Sequence, residues 1–201
     1  MPILGSFGAG SGRGFGLTSG AGESFIDASG GTITEEGDFR IHTFTSPGTF
    51  AVSGLATEPA NDEVSYLVVA GGGGGGNFGG SGAGGFREYK SSVDSYTASP
   101  LNGNPGGTAI SVTEASFPIT VGSGAAGAPR SGRNPGGDSI FSNITSTGGG
   151  GGGTYKGTYN SGGDQAGDPG GSGGGMGSND AGGGGSAGAG NTPPVSPPQG
   201  N

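Results

Sequence analysis

Tyr66-Leu67-Val68-Val69-Ala70 runs without a turn into six glycines, Gly71 to Gly76. The pattern returns downstream, where Ile144-Thr145-Ser146-Thr147 leads into Gly148 to Gly153. In each case a short apolar or β-branched run with strand character passes directly into bare backbone. Two glycine blocks entered from strands read as an architectural unit rather than as linkers.

The composition around them sets limits. Of 201 residues, 56 are glycine and 13 proline, which places the chain outside the ordinary globular class. Leu, Ile, Val and Phe make up about 15% of it, and below about 20% a chain is expected to be disordered. These residues gather in two islands, 32–69 and 110–144, enough for one small core. There is no cysteine, which excludes disulfides and thiolate metal sites. The net charge is -8, with two Lys and five Arg and no basic cluster, so a nucleic-acid partner is excluded. The longest apolar run is about five residues against the roughly 20 that span a bilayer, which argues against membrane insertion. No basic and apolar leader of a secretory signal opens the sequence.

Met1 to Gly30 carries single aromatics on a glycine-serine background, at a spacing that fits neither a helix stripe nor a strand. It is expected to be an extended N-terminal arm that orders against something else, with Phe7, Phe15 and Phe25 as its attachment points; the competing reading is a floppy leader. Residues 31–147 then follow the grammar of short β-strands. Thr32-Ile33-Thr34 stops at a turn at Glu36-Gly37. Phe39, Ile41 and Thr43 alternate with Arg40, His42 and Phe44, and Phe50 and Val52 continue the period of two after Ser46-Pro47-Gly48. Val64 to Ala70 is apolar on both faces, as a central buried strand would be. Phe86 to Tyr89 reads as a return strand, and Ile110 to Thr113 and Phe117 to Val121 restore the alternation. Pro118 marks an edge position or a bulge. Ile140 to Thr147 reads as one last strand. The expected domains are an arm over 1–30, a β-sandwich over 31–147 with a glycine insert at 71–85, and glycine helices with a proline-rich tail over 148–201. No apolar strand follows the second glycine block, so a truncated product or a partner that completes the sheet is expected.

The glycine blocks admit three readings. Collagen requires glycine at every third position, which six in a row followed by irregular spacing do not provide. A flexible linker is the second reading, because ordering glycine costs the most entropy. The third is a lattice of left-handed threefold helices of the polyglycine II type. Such helices have no internal hydrogen bonds, so their amides must bond to neighbours, and only glycine lets backbones come that close. At about 3.1 Å per residue, six glycines span about 19 Å, the length of a typical strand.

Gly30-Gly31-Thr32-Ile33, the Phe39–Phe44 strand, Tyr66 to Ala70 with its glycine run, Ile119-Thr120-Val121-Gly122 and Ile144 to Thr147 with its glycine run together resemble the glycine-rich domain of bacteriophage tail fibre and adhesin-type virion proteins. The opening Met1-Pro2-Ile3-Leu4-Gly5-Ser6-Phe7-Gly8 is similar to their N-termini, and the organisation also resembles the glycine-rich extracellular domain of animal receptor kinases. The resemblance spans roughly residues 30–190. It implies an all-β fold, a small antiparallel jelly-roll-like sandwich with inserted polyglycine-II-type helices. It further implies a virion location, a fibre homotrimer bound to other virion proteins, and a tip that meets a host-surface glycan or protein. The chain departs from the family in lacking a closing apolar strand.

Candidate chemistry is sparse. His42 is the sole histidine and reads as a sheet-surface residue. G-x-G-x-x-G matches are expected by chance at this glycine content and open no βαβ unit. Gly12-Arg13-Gly14-Phe15-Gly16 resembles an RNA-binding RGG segment, but it is a single arginine on an acidic chain. Asp164, Asp168 and Asp180 carry calcium-type oxygens without an EF-hand spacing and read as solubilising charge. Asn143-Ile144-Thr145 is a sequon placed in an apolar strand. Glu35-Glu36 in a tight turn is a poor pair for a depolymerase. Phe78, Tyr155, Tyr159 and Met176 are too bulky for the inside of a lattice, so they are expected at its surface or loop tips as receptor or partner contacts, or as cover for the lattice ends. The expected function is a non-enzymatic tail fibre or adhesin component without cofactors. Alternatives are a capsid or tail decoration or connector protein and, in another class, a cell-surface or matrix scaffold.

Overall fold

The computed structural model describes residues 3–7, 24–37, 39–103, 108–128, 133–157, 165–179 and 184–201, with the backbone alone described for 3–7. In chain order the strands are β1 (Ile3–Phe7), β2 (Asp27–Ser29), β3 (Thr32–Glu36), β4 (Phe39–Thr43), β5 (Gly48–Gly54), β6 (Glu63–Val69), β7 (Phe86–Tyr89), β8 (Ile110–Ser111), β9 (Ser116–Thr120), β10 (Ser139–Phe141) and β11 (Ile144–Ser146). Among the described residues there is no α-helix, and a 3-10 turn spans Pro59–Asp62. One sheet has the order β3-β4-β1-β6-β7, with β8 paired to the start of β6; the other runs β11-β10-β9-β5-β2. All strand pairs are antiparallel. The protein is therefore an all-β sandwich, as its alternating pattern implies.

Its core lies between the sheets. Phe50 of β5 and Phe141 of β10 are fully buried, with ring centroids 6.1 Å apart, and Phe141 meets Tyr66 of β6 at 5.9 Å. Tyr66 stacks on Tyr89 at 5.9 Å, and its hydroxyl donates to the Thr108 carbonyl at 2.6 Å, so the polar end of a buried ring is matched. β6 is the expected central strand: Val64, Tyr66 and Val68 are buried on the core side, and β1 and β7 flank it.

Two expectations are corrected, and the setting of Pro118 is defined. Residues 1–30 are not wholly an arm. Their Ile3–Phe7 stretch inserts between β4 and β6, and Asp27–Ser29 forms an edge of the second sheet. The single strand read over 140–147 is a hairpin, because Ser142 adopts φ 53° and Phe141 pairs with Ile144 across Ser142-Asn143. Pro118 lies in β9 between β5 and β10, but β10 pairs only with Ile119 and Thr120. Pro118 thus has a strand neighbour on β5 alone, and its missing N–H disturbs no second ladder.

The glycine segments are bonded to one another laterally. Ala70, Gly73 and Gly76 donate to the carbonyls of Gly85, Gly82 and Gly79 at 2.9–3.0 Å, so the bonds step by three along both segments. Gly149 and Gly152 donate to Gly71 and Gly74, both at 2.9 Å, while Gly150 and Gly153 donate to Ser172 and Gly175 at 2.9 and 2.8 Å. Carbonyls of the same segment accept from Gly79, Gly82, Gly136, Asp168 and Gly171. Gly148 to Thr154 is consequently buried at every residue. A Cβ on Gly150 would run into the Asp168 carbonyl oxygen, and one on Gly152 into that of Gly79. Side-chain absence is what allows these backbones to satisfy each other's amides.

The chain does not leave the second glycine block open. Buried Gln199 accepts from the Thr147 N–H through Oε1 at 2.8 Å and donates through Nε2 to the Pro193 carbonyl at 3.1 Å. Its own carbonyl accepts from Phe86 N–H at 2.8 Å, and Asn191 Oδ1 accepts from the N–H groups of Val195 and Gln199. These bonds seat the proline-rich tail against Thr147 and against Phe86, the first residue of β7.

Candidate functional site

Among the described residues, two surfaces bring large side chains together. The first is an end of the laterally bonded glycine segments. The turn at Asn77-Phe78 is closed by the bond from Gly76 N–H to the Gly79 carbonyl, and Gly79 in turn donates to Gly153 at 2.8 Å. Gly153 donates to Gly175, and Gly175 donates to Gly80 at 2.7 Å. Phe78, Tyr155 and Met176 are therefore carried on three neighbouring segments at the same end. The rings of Phe78 and Tyr155 lie 5.1 Å apart at 32°, and Tyr155 N–H donates to Asn77 Oδ1 at 3.0 Å. Phe78 is 61% exposed and Met176 56%. Tyr159 lies outside the described residues.

The second surface is the face of the first sheet turned away from the core. Strand alternation and pairing place Phe39, Ile41, Ser65 and Leu67 there, around the position of Gly5 on β1, which pairs with both Ile41 and Ser65. The loop after β7 folds across this face. Ser65 Oγ donates to Asp94 Oδ2 and accepts from Ser91 N–H at 2.8 Å, and Ser99 N–H donates to Glu88 Oε2 at 2.9 Å. The loop brings the Tyr96 ring edge-on to Phe39, with centroids 6.3 Å apart at 78°. What remains is a cleft of about 440 Å3, walled by Phe39, Ile41, Leu67 and Tyr96, with Glu36 on one side and Glu88 on the other. Burial holds the Asp94 carboxyl above its ordinary range, opposed by the Ser65 hydroxyl and by Lys90. Burial also pushes the Tyr96 hydroxyl up to about 12, with Glu88 and Asp94 adding to it. Lys90 Nζ sits 5.7 Å from the Tyr96 ring centroid. Alternation assigns residues to faces but says nothing of which loop will cover a face, so this cleft was not visible in the sequence.

Several sequence expectations land elsewhere. His42 is not on the sheet surface: it is fully buried, edge-on to Phe50 at 5.1 Å, with Nδ1 2.9 Å from the Gly30 carbonyl. A carbonyl only accepts, so Nδ1 carries the proton, and Nε2 has no partner among the described residues. Desolvation lowers the His42 pKa, and the imidazole stays neutral. Asn143 sits at an exposed hairpin tip rather than within a strand. Asp168 is not a free solubilising charge, since its carboxylate pairs with Arg133 at 2.9 Å; Asp164 and Asp180 lie outside the described residues. Glu35 meets Arg40 at 3.5 Å while its neighbour Glu36 faces the cleft. Phe7 ends β1 opposite Phe39 and Phe25 is half-buried just ahead of β2, whereas Phe15 is outside the described residues.

No curated protein and no solved structure matches the chain. A family model described as a glycine-rich domain matches residues 43–201, which begin at the end of β4 and take in both glycine blocks and the tail. With most of its length covered by that model, the chain belongs to the glycine-rich domain family.

Proposed function

We propose that this chain is a non-enzymatic structural protein of a virion, a bacteriophage tail fibre or adhesin component in which the sandwich and the glycine segments support a contact surface at the lattice end. In this reading the glycine segments are threefold helices of the polyglycine II type. Lateral bonds that recur at every third residue are what three residues per turn requires. The observation that carries the proposal is the pairing of a buried backbone core, Gly148 to Thr154, with the exposed side chains of Phe78 and Met176 at its end. A support of this kind holds apolar and aromatic groups in water without a hydrophobic core beneath them, an arrangement suited to a surface glycan or protein. The assembly in this reading is a homotrimer joined to other virion proteins, and it uses no cofactor.

Mass spectrometry of purified particles tests the location. Copy numbers in multiples of three at the tail support a fibre, hundreds of copies make it a decoration protein, and absence from particles ends the virion reading. Purified protein should block adsorption, and Phe78→Ala with Met176→Ala should abolish the block. Undiminished blocking by that double variant would move the contact away from the lattice end.

A further inference from the structure

The outward face of the first sheet is built against the usual preference. Alternation along β4 can bury either Phe39 and Ile41 or Arg40 and His42. The apolar pair belongs inside on hydrophobic grounds. The chain does the reverse: His42 fills a core position with one ring nitrogen unpartnered among the described residues, while Phe39 and Ile41 line the outer cleft. Burying an incompletely bonded imidazole costs stability, and the apolar cleft is what that arrangement provides. Leu67 and the loop ring Tyr96 complete its walls.

The cleft's volume of about 440 Å3 is that of a small-molecule site. Among the described residues, the charged side chains that line it are carboxylates. Glu36 on β3 and Glu88 on β7 flank it from opposite sides of the sheet, and Asp94 lies behind Ser65. Phe39 and Tyr96 meet edge to face and form an aromatic corner, and a cation already lies over one of those rings in Lys90.

We propose that this cleft binds an organic cation, an ammonium group carried on an apolar body. The body packs on Ile41 and Leu67, the aromatic corner receives the ammonium through the ring quadrupoles, and Glu36 and Glu88 supply the charge. A neutral molecule of the same shape gains the burial without the electrostatic attraction, and an anion is repelled.

The test titrates the full chain with benzyltrimethylammonium, benzyl alcohol and benzenesulfonate while following the backbone amides of Ile41, Leu67 and Tyr96 by NMR. Benzyltrimethylammonium is expected to shift these resonances saturably and to bind about tenfold more tightly than benzyl alcohol, with no saturable shift from benzenesulfonate. The double variant Glu36→Gln, Glu88→Gln keeps an acceptor for the Ser99 N–H and should weaken the cation on the order of tenfold while leaving the alcohol unchanged. Equal affinity for cation and alcohol, indifference to the double variant, or shifts confined to other residues would each overturn the proposal. Adsorption assays do not enter the readout, so this result stands apart from the virion reading.

Discussion

Replacing Gly150 with alanine separates a packed glycine lattice from a loose one. At an ordered site with room for a methyl, glycine to alanine stabilises by about 0.4–1 kcal/mol because it restricts the unfolded chain, and in an unconstrained coil the change is near zero. At Gly150 the new methyl meets the Asp168 carbonyl and the Gly174 N–H, both backbone atoms that cannot rotate away. Overpacking of this kind costs about 1–3 kcal/mol. Displacing the segment also strains the bonds from Gly150 N–H to Ser172 and from Gly82 N–H to the Gly150 carbonyl, at about 1 kcal/mol each. The expected loss is about 3–5 kcal/mol, a large part of the 5–15 kcal/mol that holds most domains folded. For a chain of this size that lowers Tm by roughly 10 °C, at about 2–4 °C per kcal/mol. Gly80→Ala is the matched control, since a Cβ there meets nothing within 4 Å. Urea and thermal unfolding followed by circular dichroism give both values. If Gly150→Ala is as stable as Gly80→Ala, the close approach of backbones is not what holds this region, and the lattice reasoning fails.

Further outcomes follow from other groups. His42 is held neutral with a lowered pKa. The unfolded chain therefore binds a proton at higher pH than the folded one, so the His42 contribution is complete above about 6.5 and is lost as pH falls below it. In His42→Phe, which keeps a ring against Phe50, the slope of stability against pH in that window should flatten; an unchanged slope would show that the ring titrates as if exposed. Asp94 has the opposite sense. Its raised pKa favours the protonated form in the folded protein, so its contribution is present below the ordinary carboxylate range and lost as pH rises through the folded value. Asp94→Asn should be at least as stable as the parent at pH 7, with the difference closing in acid, and a loss at neutral pH would contradict this. Gln199→Ala leaves the part-buried Thr147 N–H without its bond to Oε1 and should cost about 1–3 kcal/mol in urea unfolding; a cost near zero would mean that the tail does not seat on the glycine segments.

Much of the sandwich was legible because its signals are local. Phe50 and Val52 alternate into the core, β6 is apolar on both faces, and β7 returns beside it, all of which short-range periodicity carries. β1 was not legible, because Ile3 to Phe7 has glycine at its centre and pairs with residues 32 and more positions away, a tertiary choice that no window of sequence displays. The hairpin at Ser142-Asn143 was masked by apolar residues on both sides, so its two short strands read as one. His42 was misplaced because alternation gives two faces without saying which one faces inward, and hydrophobicity favours the wrong answer for β4. The lattice-end cluster was half legible: steric exclusion puts Phe78, Tyr155 and Met176 outside the packed segments, but their meeting at one end depends on which segments bond to which.

The buried segment Gly148 to Thr154 has a calorimetric consequence. Exposing apolar surface raises the heat capacity on unfolding, whereas exposing peptide groups lowers it. A region whose interior is almost entirely peptide contributes little to that increment, or subtracts from it, and so flattens the curve of free energy against temperature. Its unfolding enthalpy then varies weakly with temperature, and the region resists cooling in a way that an oily interior of equal volume does not.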